Sequence, residues 1–155
     1  MFSANSRAAM NAYRNVGVES IVESASPTQL VLMLYEGAIA AIASAQQHIR
    51  LKNVAAKGEA VSKAISIIDS GLRASLDLSV GGELAQNLSE LYQYMGRRLV
   101  QANLKNDPAA LDEVRLLLQQ LRSAWESLAA TSNAAAVKPS APPQAREAAT
   151  SYGNI

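Results

Sequence analysis

From Pro27 to Ala130 the large apolar residues recur in alternating steps of three and four, which directs the centre of this 155-residue chain into helices. One segment carries Val61, Ile65, Ile68, Leu72 and Leu76. The next carries Leu84, Leu88, Leu91, Met95, Leu99 and Ala102, and the last Leu111, Val114, Leu118, Leu121, Trp125 and Leu128. Each set forms one stripe of a helix, the pattern of an element that buries a single face. Punctuation separates the stripes. Ser26-Pro27-Thr28-Gln29 reads as a capping box, in which the serine hydroxyl takes the Gln29 N–H, the Gln29 side chain returns to the Ser26 N–H and Pro27 fits the first helical position. Asp107-Pro108 repeats the cap-plus-proline device. Gly81-Gly82 reads as a break and Lys52-Asn53 as a weaker one. The result is four segments of about 22–25 residues, each roughly 35 Å long. Equal helices joined by short links favour antiparallel neighbours, so the expected fold is all-α, an up-down-up-down four-helix bundle over residues 26–130.

The flanks differ in composition. Residues 1–25 hold few apolar groups, chiefly Met10, Tyr13, Val16, Val18, Ile21 and Val22, and read as a loosely attached arm. Residues 131–155 contain Pro139, Pro142 and Pro143, and Val137, Tyr152 and Ile155 are too far apart to make a face. Such a tail buries too little apolar surface to offset its ordering entropy and is expected to be disordered.

Composition removes many activities. Without cysteine there is no thiol nucleophile, thiolate metal site or iron–sulfur cluster, and one histidine, His48, supports neither a multi-histidine metal site nor a Ser-His-Asp set. No phosphate-binding glycine loop occurs, because Gly81-Gly82 follows a helix rather than a strand. The carboxylates stand singly, without the Glu-x-x-His pairs of di-iron bundles. Between Pro27 and Ala130 ten Lys/Arg face ten Asp/Glu, and the whole chain carries a net charge of +1, so Arg97-Arg98 reads as a solvated face and nucleic acid is excluded as the main partner. The longest strongly apolar run, Leu30 to Tyr35, is interrupted by Glu36, and the first 20 residues show no signal peptide. These features predict a cytoplasmic, non-enzymatic protein with no cofactor, metal, small-molecule substrate or membrane insertion.

Several segments carry more apolar residues than one stripe requires. The first helix is apolar nearly all round over two turns, the second has a further line of Ala64, Ile67, Gly71 and Ala74, and the third has Tyr92, Gly96 and Val100. These are either boundary residues of a tightly packed, alanine-rich bundle or a groove for a partner's amphipathic helices. A groove predicts client contacts at Leu32, Tyr35, Ile39, Ile42, Ile67, Leu72, Tyr92 and Tyr94. It also predicts that Ile67→Asp abolishes binding with helicity intact. An uncovered groove invites aggregation, and the arm's Val16, Val18, Ile21 and Val22 are available to shield it. Two other readings exist. His48-Ile49-Arg50-Leu51-Lys52 faintly resembles the H-x-L-K-G signature of histidine phosphotransfer bundles, although the Leu-Lys pair is displaced by one and Asn53 replaces the glycine. The chain could also be a self-assembling helical protein.

A series of short stretches then resembles one family in order along residues 10–130. They include Ala12-Tyr13, Val18-Glu19-Ser20, Ser24-Ala25-Ser26-Pro27, Met33-Leu34-Tyr35-Glu36-Gly37-Ala38, Lys63-Ala64, Leu76-Asp77 and Gly81-Gly82-Glu83. Further on come Asn87-Leu88, Leu91-Tyr92, Tyr94-Met95, Arg97-Arg98-Leu99, Ala102-Asn103, Asn106-Asp107, Glu113-Val114 and Trp125. On these residues the chain resembles the FliS family of flagellar secretion chaperones. Glu36 stands where many members have aspartate. The resemblance implies a four-helix bundle that binds the disordered carboxy-terminal segment of flagellin, prevents premature polymerisation and aids delivery to the type III export gate. It also implies that Met10 and Tyr13, with Val18, Ile21 and Val22, serve in gate docking and in covering the client site.

Overall fold

The computed structural model describes residues 26–137, with side chains as far as Thr131. The expected arm, with Met10, Tyr13, Val18, Ile21 and Val22, lies outside the described residues, as do residues 138–155. Among the described residues every regular element is helical. They are α1 (Pro27–Arg50), α2 (Val54–Ser66), a π-helical segment (Ile67–Arg73) that continues α2, α3 (Leu78–Lys105) and α4 (Pro108–Val137). The chain divides into two compact units between Arg122 and Ser123.

The sequence punctuation acts as physics requires. Ser26 Oγ accepts from the Gln29 N–H at 3.2 Å, and Gln29 Oε1 accepts from the Ser26 N–H at 3.0 Å. Lys52, at φ 59°, ends α1. Asp107 Oδ1 accepts from the N–H groups of Ala109 and Ala110, while Asn106 closes α3 in the left-handed conformation at φ 50°. The break before α3 lies earlier than Gly81-Gly82. Asp77 is the cap, taking the N–H groups of Ser79 and Val80, and a single turn precedes a kink at Gly82 with φ 59° and ψ −137°. Capping lowers the Asp77 pKa, first through the Ser79 hydroxyl and then through the Val80 N–H.

Within the first unit, residues 26–122, antiparallel pairing is visible in cross-helix contacts. Glu36 meets Arg122, and Gln46 meets Asp112, so positions on α4 fall by ten as those on α1 rise by ten. Lys57 at the start of α2 meets Asn103 near the end of α3, and Arg73 past the end of α2 meets Ser89 near the start of α3. The core is built from Leu30, Leu34, Tyr35, Ile42, Ile67, Ile68, Leu72, Met95, Leu99, Leu111 and Leu118. By length and composition alone α1 could cross a membrane, but one side of it, from Leu30 to Ala45, is buried in the protein. In α3 the buried line is Ala85, Ser89, Tyr92, Met95, Leu99 and Ala102, so its first half is rotated by one residue from the expected one. Leu84 stands 67% exposed, and Leu88 and Leu91 are half-buried.

Lys57 is a buried cation. Its ammonium donates to the Asn103 carbonyl at 2.8 Å and to Asn106 Oδ1 at 2.5 Å, which places a positive charge on the unpaired carbonyl end of α3. The second unit is described by itself: α4 continues past Ala130 to Val137, into the stretch expected to be disordered. Alanines 134–136 are strong helix formers, and Thr131 Oγ1 returns a hydrogen bond to the Ser127 carbonyl.

Candidate functional site

Two grooves flank α2. The first runs between α1 and α2 and holds about 450 Å³. Its walls are short: Gly37, Ala40, Ala41 and Ser44 on one side, Ala56 and Ala60 on the other, with Ile67 at one end and His48 at the other. Glu59 and Lys63 are its charged residues. Gly37 lies close to the other wall: a Cβ there would stand 3.4 Å from Ile67 Cδ1, in contact with the tip of that side chain.

The second groove lies between α2 with its π extension and α3, and holds about 570 Å³. Ile65 and Ile68 face Tyr92, Gly96 and Val100, with Asp69, Gln93, Arg97 and Gln101 completing the lining. A Cβ added at Gly96 would find nothing within 4 Å, so the floor there is open. Val100 is 47% exposed and Leu104, one turn on, 76%. The surplus line Tyr92, Gly96 and Val100 therefore forms one wall of this groove. Nearer the start of α2 a third hollow of about 760 Å³ is more polar, lined by Ser62, Lys63, Ser66 and Asn103 with Ala55, Gly58 and Glu59.

Beneath the second groove the hydroxyls of Tyr35 and Tyr92 share a buried hydrogen bond. Burial, reinforced by the Tyr35 hydroxyl, pushes the Tyr92 phenol far above its ordinary range, so that ring remains neutral. On the α3–α4 side, Tyr94 donates to Glu113 Oε2 and Arg98 Nε to Glu113 Oε1 at 2.7 Å. The Tyr94 hydroxyl, followed by Arg98, holds the Glu113 carboxyl below its usual value; the same bond raises the Tyr94 phenol.

The expected contact residues separate into groups. Ile67 lines the first groove and Tyr92 the second, each almost wholly covered. Leu32 and Ile39 are half-buried on α1. Tyr35, Ile42 and Leu72 belong to the core and line neither groove, because the apolar first turns of α1 and the π segment are used for internal packing. Tyr94 is occupied by Glu113. Ile67 is only 2% exposed, so a carboxylate placed there by Ile67→Asp would be buried, and a loss of stability is expected alongside any loss of binding. Ile65, Ile68, Gly96 and Val100 were missing from the expected contacts, although Gly96 and Val100 stood in the surplus line. His48 is half-buried in a groove wall with Nδ1 enclosed and unbonded, unlike an exposed mid-helix phosphoacceptor.

Comparison with known proteins gives a consistent picture. A family model described as flagellar protein FliS matches residues 9–132. The flagellar secretion chaperone FliS of Salmonella typhimurium is 55% identical over 119 residues, covering 77% of this chain and 88% of the relative. The Escherichia coli protein of that name is 50% identical over 115 residues, covering 74% and 85%. The one from Bacillus subtilis is 39% identical over 108 residues, covering 70% and 79%.

Proposed function

The chain belongs to the FliS family of flagellar secretion chaperones, and from that premise we propose that it holds the carboxy-terminal segment of flagellin in the grooves beside α2. It is a chaperone and not an enzyme. The observation that carries the reading is the α2–α3 groove, where Ile65, Ile68, Tyr92 and Val100 surround an open floor at Gly96. An amphipathic helix with anchors at i, i+3, i+4 and i+7 matches this chemistry. Rim residues Asp69 and Arg97 supply both signs of charge to fix direction without dominating affinity.

On this reading the client folds as it binds in the cytoplasm. Its ordering entropy is offset by apolar burial, so association carries a negative heat-capacity change. Sequestering the segment blocks premature polymerisation, and the complex is handed to the type III export gate. Met10 and Tyr13 are proposed for gate docking, and Val18, Ile21 and Val22 for covering the client site before loading.

Titration of the full chain with a synthetic flagellin carboxy-terminal peptide, following heat and helicity together, tests the proposal. The expected result is saturable binding with a gain in helix. Val100→Asp, at a half-exposed position, lowers affinity at least tenfold while the melting curve of the free chaperone stays in place. Undiminished binding by that variant removes the α2–α3 groove as the client site.

A further inference from the structure

One cation on the α2–α3 groove has no partner within the described chain. In the sequence Arg97 and Arg98 stand together and read as one solvated face; the structure turns them to different sides of α3. Arg98 faces α4, where Glu113 Oε1 accepts from its Nε at 2.7 Å, and Gln101 Oε1 accepts a second bond at 3.1 Å. Arg97 lines the groove, is exposed, and makes no hydrogen bond or ion pair among the described residues. Arg73, Arg115 and Arg122, by contrast, each hold a carboxylate.

The surroundings of Arg97 supply no free counter-charge. On α3 the positions three and four residues away are Gln93, Tyr94, Val100 and Gln101, none of them acidic. Among the described lining residues the one carboxylate is that of Asp69, and it already accepts from Arg73 at 3.0 Å. Arg73 is held in turn by Ser89 at 3.2 Å. The apolar walls therefore carry an unanswered guanidinium beside the open floor at Gly96.

In the free protein water solvates that guanidinium. Once an apolar helix lies along the groove, part of this water is displaced, and a cation left without an acceptor opposes binding. A ligand that brings a carboxylate to the same point restores the lost bonds in charge-assisted form, two of them in the forked geometry that arginine favours. A ligand that brings a lysine there is repelled. Selectivity of this kind arises as much from the penalty on the wrong ligand as from attraction to the right one.

We propose that Arg97 is a specificity-determining residue of the groove, selecting a client helix that sets a side-chain carboxylate beside its apolar anchors. The inference rests on the client-binding reading and adds the chemistry of the segment bound. A side chain fits better than the client's terminal carboxylate. The lining continues past Arg97 in both directions along α3, to Tyr92 and Gln93 one way and to Val100 and Gln101 the other, so a helix seated there passes Arg97 with its flank. An acidic residue three or four positions from an anchor then fixes the register of the helix in the groove.

A double-mutant cycle on the full-length chain, with the synthetic flagellin carboxy-terminal peptide, tests the proposal. Arg97→Gln removes a charge that bonds nothing in the free protein, so the melting curve should stay in place while affinity at low ionic strength falls about fivefold. The loss should shrink as salt is added. Arg97→Glu should lose at least about tenfold. Replacing each acidic residue of the peptide in turn by its amide should single out one whose effect does not add to that of Arg97→Gln. Lysine at that peptide position should recover affinity for Arg97→Glu. Arg98→Gln, on the other side of α3, should lower the melting temperature and leave affinity unchanged. Equal binding by the parent and Arg97→Gln overturns the proposal and leaves the client reading standing. So does a loss that adds to every acid-to-amide change, or one matched only by amidating the end of the peptide. A peptide that does not bind the parent chain removes the client reading and this inference with it.

Discussion

The hydroxyls of Tyr35 on α1 and Tyr92 on α3 meet at 2.5 Å in the interior, beneath a groove whose wall includes the Tyr92 ring. Two phenols in apolar surroundings would each carry a desolvation penalty; paired, they satisfy one another and set the separation of the two helices. Tyr35→Phe is therefore expected to destabilise the chain by about 1–3 kcal/mol, because the Tyr92 hydroxyl loses this partner. Removing both hydroxyls should cost less than the sum of the single changes. A double-mutant cycle from urea unfolding checks the pair, and strict additivity contradicts it.

Gly96 offers a test that separates stability from binding. Its site is helical and open, so Gly96→Ala should stabilise the free chain by up to about 1 kcal/mol. Gly96→Leu should leave the fold intact and fill the α2–α3 groove, weakening the flagellin peptide at least tenfold. Thermal melts and calorimetric titration of the two variants measure both effects.

Gly82 should behave in the opposite way despite equal space around it. Its φ of 59° and ψ of −137° lie where a Cβ is strained, so Gly82→Ala is expected to destabilise by about 1–3 kcal/mol. Equilibrium unfolding decides it.

Lys57 seals the end of α3 from within the fold. Lys57→Met preserves most of the stem but strips the ammonium from the Asn103 carbonyl and the Asn106 side chain. A loss of about 1–3 kcal/mol is expected, with faster amide exchange confined first to the last turn of α3. Uniform exchange along α3 would argue against a capping role.

Glu113 gives a pH dependence with a definite sign. Its folded pKa is depressed below the ordinary 4.5 by the Tyr94 hydroxyl and Arg98. Its contribution is therefore complete above that value and disappears as pH falls through the folded pKa. Glu113→Gln should melt below the parent at pH 7, and the gap should narrow towards pH 3. A gap that does not vary with pH would assign the effect to packing.

Much of the fold was legible because caps and turns are local. The Ser26–Gln29 box and the Asp107-Pro108 start follow from hydrogen bonds within four residues, and both occur as read. Errors arose where distant groups decide the outcome. Ala74 stands exposed and Ser75 buried in the turn that follows the π segment, where the helical steps of the surplus line no longer apply. Lys57 reads as a surface cation until the end of α3 arrives beside it. In the candidate site, Tyr92 and Ile67 were identifiable as surplus apolar residues. Ile68 is buried in the core as its stripe predicts, whereas Ile65 of the same stripe is half-buried in the groove lining, since periodicity marks a face as apolar without saying whether a helix of the same chain already occupies it.

Because α2 is the wall common to both grooves, one polypeptide occupying them together must pass around that helix like a strap around a post. Such a strap cannot lift away in a single movement. On the proposed client reading it would peel from whichever end is pulled, one groove after the other, and its release would meet a succession of small barriers instead of one large one.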